Sequence, residues 1–132
     1  MRVNRFAKAG IVVCLLLLPA AFLPSYLHRS SIRIARQRRD ELQKVFQARL
    51  VPGTDPKHIL ALLDAEGIQR GELEDARNNP SLASVLGAPE IIEARVTVRT
   101  WSLTRWSIHF VFRFDDQGKY TNCTDKIEGA FY

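Results

Sequence analysis

The sequence predicts an α+β protein: an N-terminal transmembrane helix and a basic helical stalk, then two helical segments packed on a three-stranded antiparallel sheet. Three observations lead there. An uncharged run, Ile11 to Leu27, follows a short basic leader. Apolar residues then recur at helical spacing as far as Pro89. Beyond Pro89 they recur at every second position, the period of a half-buried strand.

Composition sets the bounds. With 132 residues, 46% apolar and 25% charged, and only 7 Gly and 6 Pro, the chain is foldable and holds one small domain at most. Two cysteines cannot build a disulfide scaffold, and no Cys/His spacing of the zinc type occurs. The formal charge of +5 is unevenly spread. Residues 1–27 carry Arg2, Arg5 and Lys8 and no acid, residues 28–50 carry seven basic and two acidic side chains, and residues 51–132 are net acidic. The chain therefore reads as three sections, 1–27, 28–50 and 51–132, with the basic charge in the first two.

Residues 1–27 have the pattern of an anchor or a signal segment. The run from Ile11 to Leu27 makes a helix of about 25 Å, which Phe6 and snorkelling Lys8 and Arg29 extend towards the thickness of a bilayer core. Signal cleavage needs small residues at minus one and minus three. Ala20 is preceded at that spacing by Leu18, Ala21 by Pro19, and Ser25 by Leu23. A retained anchor is the expectation, although Pro19 and Pro24 can end a signal helix, and a secreted module after cleavage stays the alternative. A buried core helix is not the expectation, because a helix apolar on every side needs a large protein or lipid around it.

Residues 28–50 read as an amphipathic helical stalk, with Ile32, Ala35, Leu42, Val45, Phe46 and Ala48 to Leu50 on one side. Arg29, Arg33, Arg36, Arg38 and Arg39 are the expected membrane-surface contact, since each basic side chain beside anionic headgroups gains about 1 kcal/mol. A solvated helix is the simpler alternative. Nucleic acid is not the expected partner, because the stripe lacks stacking aromatics and base-reading polar groups.

In 51–132, Val51-Pro52-Gly53 breaks the stalk, and Asp55 as N-cap with Pro56 at the first helical position starts a helix to about Ala65, closed by Gly67. One or two helical turns are expected over Glu72–Asn78, and another from Asn79-Pro80 through Leu82, Val85 and Leu86. The strands follow. Ile92, Ala94, Val96 and Val98 face the core on the first, and Trp106, Ile108, Phe110, Phe112 and Phe114 on the second. Asp115-Asp116-Gln117-Gly118 forms a hairpin turn, and Lys119 to Ile127 forms the third strand. The helices must cover this aromatic row.

Gly53-Thr54-Asp55-Pro56 opening a helix, then Leu86-Gly87-Ala88-Pro89, then Phe112 to Lys119 on a hairpin, resembles small envelope lipoproteins of the SmpA/OmlA type, which accompany outer-membrane β-barrel assembly. The resemblance spans about residues 50–128 and implies a helix-helix-three-strand fold, an envelope location and a non-catalytic, protein-binding role. Cys14, between Val13 and four leucines, does not fit that family's lipidated cysteine, and no binding residue carries over. Positive-inside counting is a near tie that slightly favours a cytoplasmic domain, but long domains translocate largely regardless of charge, and an extracytoplasmic domain is expected partly through this resemblance.

No catalytic constellation, metal-ligand set, phosphate loop or dinucleotide fingerprint is legible, so neither a cofactor nor a small-molecule substrate is expected. Cys123 reads as a small apolar strand residue and Asp115 and Asp116 as turn residues. Ser107, His109 and Asp125 do not amount to a triad, because alternate strand residues share a face by pleat alone. The expected partners are the lipid bilayer and an envelope protein. The candidate partner surface is the outer sheet face, with Arg95, Arg99, Arg105 and Arg113 converging there and Trp101 in the loop between strands as an anchor; a wet face that only keeps the domain soluble is the simpler alternative.

Overall fold

The computed structural model describes the backbone of residues 5–77, 81, 84–85, 87–102 and 104–131, and within these the side chains from residue 22 to residue 130. Among the described residues, two extended helices, α1 (Arg5–Arg49) and α2 (Pro56–Ala65), pack on a four-stranded antiparallel sheet. The strands are β1 (Gln69–Asp75), β2 (Glu90–Val98), β3 (Thr104–Phe114) and β4 (Tyr120–Phe131), side by side in chain order. The α+β class is as expected; the strand count is not.

The correction falls on Glu72–Asn78. Among the described residues of that stretch no helical turn forms, and Gln69–Asp75 is a strand paired with β2 in the register Leu73 with Ile92 and Asp75 with Glu90. Its sequence, QRGELED, holds one apolar residue, and every member is at least partly exposed. Local preference there is overridden by the open edge that β2 presents. Of the turn expected next, Asn79, Pro80, Leu82 and Leu86 lie outside the described residues.

The alternation in β2 and β3 sorts as read. Ile92, Ala94 and Val98 are buried on the inner face, and all five of Trp106, Ile108, Phe110, Phe112 and Phe114 are buried with them. Asp115 to Gly118 makes the β3–β4 turn. Gly118 has φ +70, its N–H meets Asp115 O at 2.9 Å, and the Asp115 carboxylate accepts the N–H groups of Gln117 and Lys119 at 2.9 Å each. Asp55 stands as N-cap of α2 by backbone geometry, but its carboxylate bonds Lys119 Nζ and not the helix N–H groups. That tie fixes the start of α2 to the β3–β4 turn. Arg70 joins Asp64 through Nε and Nη2 at 2.8 and 2.9 Å, pinning the other end of α2 to β1.

Residues 28–50 do not stand apart as a stalk. Ala35, Leu42, Phe46 and Leu50 on α1 belong to the same buried cluster as Ile59, Leu63, Phe110 and Phe112. Phe46 enters edge-on between Phe110 and Phe112, with ring centroids 5.1 and 5.2 Å away. At the other end Trp106 Nε1 donates to Ser31 Oγ at 3.0 Å, Ser31 Oγ donates to His28 O at 2.9 Å, and the His28 and Trp106 rings lie 5.4 Å apart. From Ser31 to Phe46 the helix rises about 22 Å, and from Trp106 to Phe112 the strand advances about 20 Å. Helix α1 therefore runs along β3 in the same direction.

The helix is continuous from Arg5 to Arg49, through Pro19 and Pro24. Of the anchor segment 1–27, the backbone is described from residue 5 and the side chains only from residue 22. Among the described residues no helix is long and apolar enough to cross a membrane. Phe22, Leu23 and Tyr26 are more than half exposed, so α1 has left the body of the domain by that point.

Two substitutions test the seating of α1. A Cβ at Gly129 meets Trp106 Cζ3 at 2.8 Å, so Gly129→Ala is expected to cost about 1–3 kcal/mol, read as a lowered midpoint in denaturant. Phe46→Ala opens a cavity between two phenylalanines, and a loss of about 3–5 kcal/mol is expected in the same measurement. A stalk outside the core would leave Phe46→Ala within about 0.5 kcal/mol of the parent chain.

Candidate functional site

Register places the expected partner residues. Arg95 faces His109 across the β2–β3 pair, His109 faces Lys126 across β3–β4, and Arg113 lies between Ile91 and Asn122. Arg105 faces Ala130. Arg95, Arg105 and Arg113 do share the outer face, as the alternation implied. They do not converge: Arg105 and Arg113 are eight residues apart on one strand, about 26 Å.

Three separate groups result. The first is a basic row at mid-sheet, Arg95, His109 and Lys126, gathered around Glu128. Lys126 Nζ meets Glu128 Oε1 at 2.6 Å, and His109 Nε2 is 3.4 Å from Glu128 Oε2, without hydrogen-bond geometry. The hydrogen bond from Lys126, reinforced by the charges of Lys126, His109 and Arg95, holds the Glu128 carboxyl below the usual carboxylate range. Glu128 came from a part of β4 beyond the expected strand end. The only sequence signal for it was its two-residue spacing from Lys126.

The second group surrounds Arg113, which donates to Thr124 Oγ1 at 2.7 Å and has Gly87 close to its Nε. Ile91, on this same outer face, is fully buried, as is Ala76, while Ala88 is nearly so. Ala76 and Ala88, near the two ends of the segment joining β1 to β2, are held together by Ala76 N–H to Pro89 O at 2.7 Å. Arg77 bridges Asp75, at 3.0 Å, and Glu90 beside it.

The third group is at the opposite end, where α1 joins the sheet. Arg99 and Arg105 flank the β2–β3 loop, and Trp101 at its tip is 67% exposed. Arg99, Thr100, Ser102, Thr104 and Arg105 line a shallow open notch of about 370 Å³. Thr100 Oγ1 and Ser102 Oγ are 2.8 Å apart, and both hydroxyls lie within 3.4 Å of Thr104 O. The loop is thus a tight knot of hydroxyls between two guanidinium groups.

The α1 arginines are spread along the helix. Arg38 pairs with Glu41 at 3.3 Å, and Arg39 with Asp40 at 2.8 Å and Asp125 at 3.8 Å, while Arg29, Arg33 and Arg36 are exposed.

Cys123 sits on the inner side of β4, opposite Phe112. Burial and the Asp125 charge push its thiol up to about 12. At neutral pH it is a thiol, a poor nucleophile. Among the described residues no group of three or more His, Cys, Asp or Glu side chains could hold a metal ion.

No protein-family model, curated protein or solved structure matches this chain.

Thiol labelling tests the Cys123 environment. In a Cys14→Ser chain, reaction of Cys123 with a disulfide reagent at neutral pH is expected to be at least tenfold slower than in denaturant, because both the accessible fraction and the thiolate fraction are small. Labelling at the denatured rate would contradict the burial.

Proposed function

We propose that this chain is a single-pass, membrane-anchored envelope protein whose α+β domain lies outside the cytoplasm, has no catalytic role, and binds a protein partner or the membrane surface. One observation carries the reading: the helix that contributes Ser31 to Phe46 to the core is continuous with the uncharged run Ile11 to Leu27. A helix apolar on all sides needs lipid or a large protein around it, and at the end of the run nearest the domain Phe22, Leu23 and Tyr26 are more than half exposed. The envelope location rests on the resemblance to the SmpA/OmlA-type lipoproteins, from which the chain differs by β1 and by lacking their lipidated cysteine.

The anchor reading also sorts the basic residues of α1. If Leu27 marks the hydrocarbon boundary and α1 leaves along the bilayer normal, Arg29 lies about 3 Å beyond it, well inside the screening length of about 8 Å at physiological salt, and Arg33 about 9 Å, close to that length. Arg36, Arg38 and Arg39 are about 14–18 Å away, too far for strong headgroup attraction. Arg38 and Arg39 are already engaged with acids of the domain. The membrane clamp then narrows to Arg29 and Arg33. The mid-sheet row of Arg95, His109 and Lys126 is left facing away from α1, as the surface for a protein partner of acidic character.

A second reading has one observation in its favour. The first described contact between α1 and the sheet is at His28, so signal cleavage between residues 22 and 27 leaves the core whole and releases a secreted binding module. Mass spectrometry of the native N-terminus, with an alkaline wash of membranes, separates the two. The anchor predicts a start at Met1 or Arg2 and a chain retained in the pellet. A start between residues 22 and 27, with the chain in the supernatant, establishes the secreted module.

A further inference from the structure

We propose that the β2–β3 loop is a second, independent membrane contact: Trp101 seats in the interfacial layer while Arg99 and Arg105 hold the phosphate of an anionic lipid headgroup in the notch between them. The proposal rests on the anchor reading and adds to it a fixed face of the domain against the bilayer.

Geometry supplies the first support. Helix α1 runs along β3 in the same direction, with Ser31 beside Trp106 and Phe46 beside Phe110 and Phe112. The end of the sheet where α1 departs is therefore the end that carries the β2–β3 loop. From Trp106 the strand advances about 7 Å to Thr104, and the loop adds a few ångströms, so its tip lies about 10 Å beyond Trp106. The same 10 Å along α1 from Ser31 is about seven residues, which reaches Pro24. Trp101 and Tyr26 thus stand at nearly one height, each 67% exposed. Two aromatic rings with polar tips, level with the end of an uncharged helix, match the belt that Trp and Tyr form at membrane interfaces.

Chemistry supplies the second. Arginine binds phosphate oxygens through paired N–H groups, and two arginines flanking a small notch edged by Thr100 and Ser102 hydroxyls match one phosphate diester. A Trp alone at a loop tip would suit many partners. A Trp between two arginines, on the side of the domain where its own helix enters lipid, suits a headgroup layer best.

The contact has a mechanical consequence. Helix α1 restrains the domain along one line, and a contact at a second point stops rotation about that line. The mid-sheet row of Arg95, His109 and Lys126 would then face in one direction relative to the bilayer.

The test uses the full chain in vesicles of phosphatidylcholine with phosphatidylglycerol, reading tryptophan emission. Trp106 is buried, so lipids brominated near the headgroup should quench Trp101 alone, and Trp101→Ala should remove that quenching. Arg99→Gln with Arg105→Gln should lower the ratio of docked to undocked domain about 30-fold, about fivefold for each charge near an anionic surface. The chain should remain in the vesicles throughout an alkaline wash. If it remains but Trp101 is quenched by iodide and not by brominated lipid, the second contact is overturned and the anchor stands. If the chain washes out, the anchor itself fails, and the second contact with it. Loss of quenching on adding inorganic phosphate, but not chloride of equal ionic strength, would show a free-anion site and overturn the headgroup assignment.

Discussion

One contact organises this protein: the seating of α1 on β3, with Trp106 bonded to Ser31 at one end and Phe46 wedged between Phe110 and Phe112 at the other. The inner face of β3 is a continuous apolar row, and exposing it to water costs roughly 1.5–3 kcal/mol for each large side chain. Helix α2 has ten residues and lies over β1, so it cannot cover that row. Among the described helices only α1 can, and the sheet therefore depends on residues that also belong to the leader side of the chain. The hydroxyl of Ser31 matters for the same reason. It satisfies an indole N–H that is otherwise sealed from water, and leaving such a donor unpaired costs about 1–3 kcal/mol.

Because α1 does not break between Leu27 and Ser31, there is no hinge between the uncharged run and the domain. A flexible linker would leave the orientation of the domain to chance. A continuous helix fixes which end of the sheet faces the leader, and hence which side chains can meet the surface the leader enters. The basic residues divide accordingly. Arg29, Arg99 and Arg105 lie near that end, Arg95 and Lys126 midway, and Arg113 at the far end beside Gly87.

The strands β2 and β3 were legible because nine apolar residues alternate with polar ones over two runs, and only a one-sided sheet explains that period. Strand β1 was not, since Gln69–Asp75 offers only Leu73 to a core and its backbone is fixed by pairing with β2. The stripe of Ala35, Leu42 and Phe46 was legible as the apolar side of a helix. What it packs against was not, because a helical period says that one side is buried and is silent about the partner. Face assignment likewise put Arg95, Arg105 and Arg113 together correctly, while their spread along the strands defeats convergence. The Trp101 loop was visible only as an aromatic between strands; its position beside the exit of α1 follows from register and helix direction.

Hydrogen exchange by mass spectrometry on the full chain in a lipid disc tests the shared helix most directly. If α1 is core, the amides of residues 31–49 exchange only with global unfolding and match those of β3, without a step in protection between residues 27 and 31. Fast exchange across residues 31–45, with β3 still protected, would show a helix that merely leads to the domain and would contradict the account.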